Sequence, residues 1–348
     1  MKKNLGKIFQ IAAVFIGTIV GAGLASGKEI TQFFTSYGYK SFIGILICGI
    51  VYIFIGHLVA DISIKYNLKS YNELISTVSP GFLGTVTDII TGFFLLSGSA
   101  IILAGSGALI HQYFGVSRWI GIALMILLSL LTLLKDTDGL IGINSFIVPS
   151  LITVIITIFA LYLFFYREGI TINNLKSIPY EKTHWLISSL LYAGFNLLSC
   201  TGVLVPLSYE SRDKYSIKKG VFWGAIILTI LSLFINTMLM LNKPYIYQYE
   251  IPLLYITNRF GKPIQIVLLI IIWFEMFSTE VSNIYSIGKT LEQKFKISFR
   301  TGIFFIILIA IPISQIGFSN LITVLYPAFG IISIIFIIQL IYFYIKKF

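Results

Sequence analysis

Long apolar runs separated by short polar or basic segments recur ten times along the chain, at residues 8–37, 41–64, 86–114, 119–134, 143–166, 185–209, 220–241, 263–291, 301–316 and 321–345. A run of about 17–25 apolar residues is what a helix needs to cross a bilayer. The pattern therefore predicts an all-α integral membrane protein of ten transmembrane helices in a single domain, residues 1–348. No polar segment between the runs exceeds about twenty residues, which leaves no room for an extramembrane catalytic domain. The first run has a signal-like start, with Lys2, Lys3 and Lys7 ahead of it and small residues at 21–27. Cleavage there leaves nine spans and nothing to secrete, so it is read as a helix.

Two runs are interrupted. Span 1 holds Gly17, Gly21, Gly23 and Gly27, each costing about 1 kcal/mol against alanine in a helix interior. Span 6 carries Ser199-Cys200-Thr201-Gly202 at the corresponding depth, with Pro206 after it. Glycines in a single membrane helix serve close packing. Paired interruptions in corresponding spans instead point to a transporter binding site, where freed amides suit an anion and freed carbonyls a cation. Helices 1 and 6 are expected to be discontinuous, with Gly21, Ala22, Gly23, Ser199, Thr201 and Gly202 facing a small solute.

The interruptions belong to a wider repetition. Gly23 with Gly202, Glu73 with Glu250, Asn144 with Asn320 and Pro149 with Pro327 pair at offsets of 176 to 179 residues. Five spans per half is an odd number, so the second half (about 185–345) is expected to be an inverted copy of the first (about 8–166). Ser70-Tyr71-Asn72-Glu73 reads as a capping box opening a short helix over 71–78. Its counterpart at 250–260 has Pro252 near its start and Gly261 at its end. Both are expected to lie along the membrane surface, one on each side.

Composition fits this picture. With 57% hydrophobic and 11% charged residues, the chain carries less than half the roughly 25% charge of soluble domains, which excludes a water-soluble globule. Cys48 and Cys200 lie in apolar stretches and imply no disulfide framework. The net charge of +11 is unevenly placed: with the N-terminus inside, inner segments hold sixteen Lys/Arg and outer segments eight. That is the positive-inside bias, so both termini are expected in the cytoplasm of a plasma-membrane protein, and the charge calls for no nucleic acid. No Walker, Rossmann, zincin or nucleophile-elbow pattern is present. Neither an enzyme nor an organic cofactor is expected.

Lys28, Glu29, Glu275 and Glu280 lie well inside spans, while Asp61, Asp88 and Glu210 sit nearer inner ends. A charge at the bilayer centre costs at least about 2.5–3.5 kcal/mol, so each central one needs a partner or water. Glu275 shares a helical face with Ser278 and Thr279 and suits a proton, a cation site or a substrate amine. Lys28, just past the glycine run, suits a substrate carboxylate. Alternatively Lys28 or Glu29 forms a structural ion pair, with Glu280 as the candidate partner. His57 and His111 lack further His or Cys at metal-ligand spacing and read as hydrogen-bonded packing residues. The Gly/Ser face of span 3 (Ser97-Gly98-Ser99, Gly105-Ser106-Gly107) admits a close helix or a ligand.

Gly17-x-x-Val20-Gly21-x-Gly23 resembles the unwound first helix of sodium-coupled transporters with the LeuT fold, in the amino acid–polyamine–organocation superfamily. Gly202 with Ser208-Tyr209 is similar to the unwound sixth helix. Over nearly its whole length the chain also resembles the bacterial YkvI-type membrane proteins, through the run from Gly21-Ala22-Gly23 to Gln32-Phe33-Phe34. The first resemblance implies one Na⁺ between helices 1 and 8, held by backbone carbonyls of Gly17, Val20 and Glu275 and the hydroxyls of Ser278 and Thr279. It puts Leu24 where several members coordinate a second Na⁺ through asparagine, so that second site is expected to be missing. It implies a Na⁺-coupled symporter of an amino acid or related amine, working by alternating access in the lipid bilayer. Proton coupling through Glu275 or Glu280 is the alternative, and a non-transporting ligand sensor is another. A passive channel is disfavoured, because no polar stripe runs the length of several spans.

Overall fold

In a membrane chain every backbone polar group must be satisfied within the protein, and these apolar runs satisfy theirs as helices. The computed structural model describes residues 2–135 and 140–348; the side chains of Asp88 and Asn144 lie outside the described set. The elements are α1 (Lys2–Ser26), α2 (Lys28–Phe33), α3 (Lys40–Lys65), α4 (Tyr71–Val78), α5 (Phe82–Phe114), α6 (Arg118–Lys135) and α7 (Leu140–Tyr166) in the first half. They continue as α8 (Ile172–Ser177), α9 (Trp185–Ser211), α10 (Lys214–Met240), α11 (Pro252–Thr257), α12 (Lys262–Phe295), α13 (Phe299–Ser314) and α14 (Phe318–Lys347). Among the described residues there is no strand. All ten expected runs are helical, but among the described residues eight helices are long and apolar enough to cross a membrane. The apolar stretches of α6 and α13, Arg118–Leu134 and Phe299–Ser314, are shorter.

Helix α1 runs through the middle of the molecule, packed on α7, α9, α10 and α12, while α5 packs on α6, α12, α13 and α14. Small residues set the closest approaches: a Cβ on Gly220 of α10 would collide with Ile11 of α1. The glycine and serine face of α5 serves neighbouring helices. Gly98 abuts Asn283, Gly105 abuts Phe318, and the Ser106 hydroxyl donates to Leu103 O at 2.8 Å and reaches Gly121 O at 3.3 Å. Lys65 Nζ donates to Lys347 O (2.8 Å) and Lys7 Nζ to Ser211 O (3.3 Å), so both chain ends share one face. On that face Asp61 pairs with Lys214 (3.0 Å) and Lys218 (2.7 Å). His57 Nε2 is bonded to Lys218 O and His111 Nδ1 to Val116 O; Cys48 and Cys200 are free and buried.

The short linker helices form where the capping residues place them. Ser70 Oγ accepts from the Glu73 amide (3.3 Å), while Glu73 Oε2 reaches one residue beyond the expected partner and accepts from the Lys69 amide (2.7 Å). Pro252 opens α11 at a position needing no amide.

The two expected interruptions fare differently. In α1 the helix is broken at Gly21 (φ 41°, ψ −178°), and a left-handed Gly27 (φ 81°) separates it from α2. The break is local: Gly17 and Val20 remain helical. Span 6 corrects the expectation, since α9 runs from Trp185 to Ser211 through Ser199, Thr201 and Gly202 without a break. Serine, cysteine and threonine are tolerated in membrane helices because their hydroxyls or thiols bond the preceding turn, as Thr201 Oγ1 does to Leu198 O (2.6 Å). A single glycine is not enough to unwind it.

Candidate functional site

A cavity of about 330 Å³ lies between α1, α5, α9 and α12, bounded by α4 on the face that holds the chain ends. Gly17 and Thr18 of α1 enter it one turn before the Gly21 break. Leu198, Ser199, Gly202 and Val203 come from α9, and Thr91, Phe94 and Leu95 from α5. The fullest contribution is a serine ladder on α12, Ser278, Ser282 and Ser286, with Thr279, Asn283 and Tyr285 beside it. Four-residue spacing puts the three serines on one helix face.

No lining residue carries a formal charge. What it offers is oxygen. The hydroxyls of Thr18, Thr91, Thr279 and Ser282 donate to carbonyls one turn earlier (Val14, Thr87, Glu275 and Ser278, at 2.8, 2.8, 2.9 and 2.9 Å). A hydroxyl whose proton is committed to its own helix presents only lone pairs outward. Such a wall suits a hard monovalent cation or the donor groups of a small polar solute.

Pro206 lies inside α9. Having no N–H, it cannot supply the helical hydrogen bond to the carbonyl of Gly202, which lines the cavity. The sixth span thus lacks one main-chain donor beside the cavity, because of a proline rather than unwinding. Pro206→Ala restores the missing donor. We expect a higher unfolding temperature, from up to about 3 kcal/mol of recovered helix stability, together with reduced solute binding in a thermal-shift titration.

Several expected site residues lie elsewhere. Lys28 does not face the cavity: its Nζ donates to Tyr249 O (3.2 Å), near Glu250. Glu280 pairs with neither Lys28 nor Glu29 but accepts from Ser99 Oγ (2.6 Å) on α5. Glu275 is buried, with Oε2 lacking a hydrogen-bond partner, and it lies outside the cavity lining, as do Val20, Gly21, Ala22, Gly23 and Thr201. The Glu275 carbonyl accepts the Thr279 hydroxyl. Of the five expected Na⁺ ligands the cavity gathers Gly17, Ser278 and Thr279; no cluster of three or more His, Cys, Asp or Glu suited to a metal occurs among the described residues. Gly21 has open space around its Cβ position, whereas that of Gly23 is filled by the Glu29 carboxyl.

The opposite face is sealed by three consecutive residues. Tyr249 O takes Lys28 of α2, Glu250 pairs with Arg118 at the start of α6 (3.4 Å), and Ile251 is gripped by Gln112 at the end of α5. Gln112 Nε2 donates to Ile251 O and Gln112 Oε1 accepts from Ile251 N, both at 2.9 Å. Nothing in the spacing of Gln112 marks it, and sequence reasoning missed it. The serine ladder was missed as well, although the four-residue period of Ser278, Ser282 and Ser286 is a signal that could have found it.

The first helix is thus broken at Gly21, a cavity one turn before the break reaches toward the face of the chain ends, and hydrogen bonds and an ion pair tie the other face; the fold is that of the LeuT-like structures. Solved structures with this fold superpose over most of the chain. The Eremococcus coleocola manganese transporter matches at 17% identity and TM-score 0.68, covering 97% of this chain and 79% of that one. MhsT in complex with L-phenylalanine matches at 15% and 0.64, covering 94% and 88%. A Na⁺-coupled sialic acid symporter matches at 15% and 0.63, covering 95% and 78%. In sequence the chain is 32% identical to the uncharacterized membrane protein YkvI of Bacillus subtilis over 337 residues, 97% of this chain and 96% of that protein, and it belongs to the YkvI family. It is 24% identical to the uncharacterized protein YyaD of the same organism, covering 94% of each. No family model matches the chain.

Proposed function

We propose that the protein is a secondary active transporter, a Na⁺-coupled symporter of an amino acid or related amine, and not an enzyme. The observation that carries this is the Gly21 break one turn from an uncharged, oxygen-lined cavity that reaches toward the face of the chain ends, with the Gln112–Ile251 tie across the other face. Gly202 and Ser199 on the cavity wall receive the donor groups of the solute. Na⁺ enters beside Gly17, Ser278 and Thr279, whose oxygens replace its water shell. Glu275 and Glu280, each with an unpartnered oxygen, supply the proton-coupled alternative.

The test is uptake of labelled amino acids and amines into proteoliposomes, with an inward Na⁺ gradient and with K⁺ in its place. Na⁺-stimulated uptake is expected. Ser278→Ala and Thr279→Ala each remove one oxygen worth about 1.5–3 kcal/mol to a charged guest, so half-maximal Na⁺ rises roughly ten- to a hundred-fold. Uptake driven by a pH gradient and indifferent to Na⁺ moves coupling to Glu275 or Glu280. Ligand binding without flux makes the protein a sensor.

A further inference from the structure

Glu29 is a buried ionisable group that neither the cavity nor the seal uses. It lies in the first turn of α2 and is 3% exposed. Its side chain folds back over the broken segment, so that a Cβ built on Gly23 would collide with Glu29 Oε1. Tyr192 of α9 donates to Glu29 Oε2 at 3.0 Å, and the Tyr326 hydroxyl of α14 reaches the same carboxyl. One group thus touches the helix break and ties α2 to two other helices.

The surroundings offer no counter-charge. Behind Tyr192, Asn196 bonds Tyr52 of α3 (3.1 Å), with Cys48 next to that hydroxyl. From α10, Asn236 is taken up by Thr35 and Ser41. Lys28, the neighbour in sequence, points the other way, to Tyr249 O. Among the described residues no Lys, Arg or His lies within ion-pair distance of Glu29. Phe33 and Phe195 pack with Tyr192 at 5.3 Å between ring centroids, and Phe195 with Tyr326 at 4.6 Å. The tyrosines, phenylalanines and the Gly23 backbone pack closely around the carboxyl, and the cavity described above is not lined by Glu29, Tyr192 or Tyr326.

A lone carboxyl inside a membrane protein calls for a cation, and the one cation that this packing admits is a proton. We infer that Glu29 is a proton-binding site that couples protonation to the conformation of the α1–α2 break. With α2 packed against α9 and α14, as here, Glu29 is sealed and holds the proton. The neutral carboxyl then donates one hydrogen bond, to a tyrosine oxygen, and accepts the other. When α2 swings away on the sealed side the carboxyl meets water and gives the proton up. Acid therefore favours the state with the cavity open, and alkali the opposite one. The flux consequence rests on the transporter proposed above, but the proton site can be tested without flux.

The experiment places a cysteine at Ser286, at the cavity, in a background with Cys48 and Cys200 changed to alanine. Its alkylation rate is measured in proteoliposomes from about pH 5 to about pH 9, a range wide enough to titrate a buried carboxyl. Glu29→Gln, the isostere of the protonated acid, is measured alongside, so the rate ratio removes the thiol's own pH dependence. A ratio of wild type to Glu29→Gln near one in acid, falling at least about threefold in alkali, is the expected result. A ratio constant across the range overturns the proposal. If Glu29→Gln fails to fold, Tyr192→Phe replaces it: loss of one hydrogen bond to the charged form must move the pH midpoint of labelling, and an unmoved midpoint is equally decisive. A pH-dependent ratio in a protein that moves no solute leaves the proton site standing and removes the transporter. Solute uptake with a flat ratio does the reverse.

Discussion

Gly21→Ala is expected to lower solute uptake at least tenfold while the protein still folds and inserts. At φ 41° and ψ −178° the residue occupies backbone space that is essentially glycine's alone. An L side chain there costs on the order of 1–3 kcal/mol, and a factor of ten in an equilibrium is about 1.4 kcal/mol. Because no atom lies within 4 Å of the Cβ position, the whole effect is backbone strain, relieved when the segment winds into regular helix and the break closes. Gly92→Ala on α5 is the control: that residue is helical, and its Cβ position is equally open. It is expected to be neutral or slightly stabilising. Uptake and unfolding temperature, measured on both variants, check the prediction. Uptake in Gly21→Ala equal to that of Gly92→Ala would show that the break has no part in transport.

Gly23→Ala fails for another reason. Its backbone is ordinary, but the added methyl group collides with the Glu29 carboxyl, so the two glycines separate the strain of the hinge from the packing of the group that rests on it.

The difference between those two glycines shows what a sequence can reveal. The long helices were legible because bilayer thickness fixes their length and forces an apolar composition. The break at Gly21 was legible because four glycines in one span is a cost with few explanations. The capping box at Ser70 and Glu73 was legible as local chemistry. The continuity of α9 was not: Ser199, Cys200 and Thr201 are neutral between helix and loop, and the surrounding packing decides. Nor was the seal, because Gln112 and Ile251 stand 139 residues apart and their pairing depends on how α5 meets the linker before α11. Lys28 was misread because a charge within a span was assumed to look inward, whereas its long stem carries the amine out to Tyr249 O. Gly17, Ser278 and Thr279 did meet in one cavity, since motif spacing on two straight helices survives assembly. Glu275 shares their helix but is absent from the lining, because i,i+3 spacing brings residues only to the same broad face.

The seal carries the second large effect. Gln112→Ala removes a donor to Ile251 O and the acceptor for Ile251 N together, and Ile251 is fully buried. Ile251 O keeps the Leu254 and Tyr255 amides (3.1 and 3.4 Å), so it is Ile251 N that is left buried without a partner. That costs about 1–3 kcal/mol, and the middle of this range moves the equilibrium between sealed and open states by roughly thirty-fold. Arg118→Ala breaks the pair with Glu250, but these side chains are 49% and 24% exposed. An ion pair so placed contributes at most about 1 kcal/mol. The order of effects is therefore Gln112 before Arg118. A cysteine at Ser26, fully buried between the break and α2, reports it through alkylation by a membrane-impermeant maleimide from the sealed face. Labelling is expected to be slow in the parent, at least about tenfold faster with Gln112→Ala, and less than about threefold faster with Arg118→Ala. In Gln112→Ala a cysteine at Ser286 becomes correspondingly slower to label from the other side, because opening one face closes the other. Faster labelling at both sites would mean that the substitution loosens the fold instead of shifting it between two states.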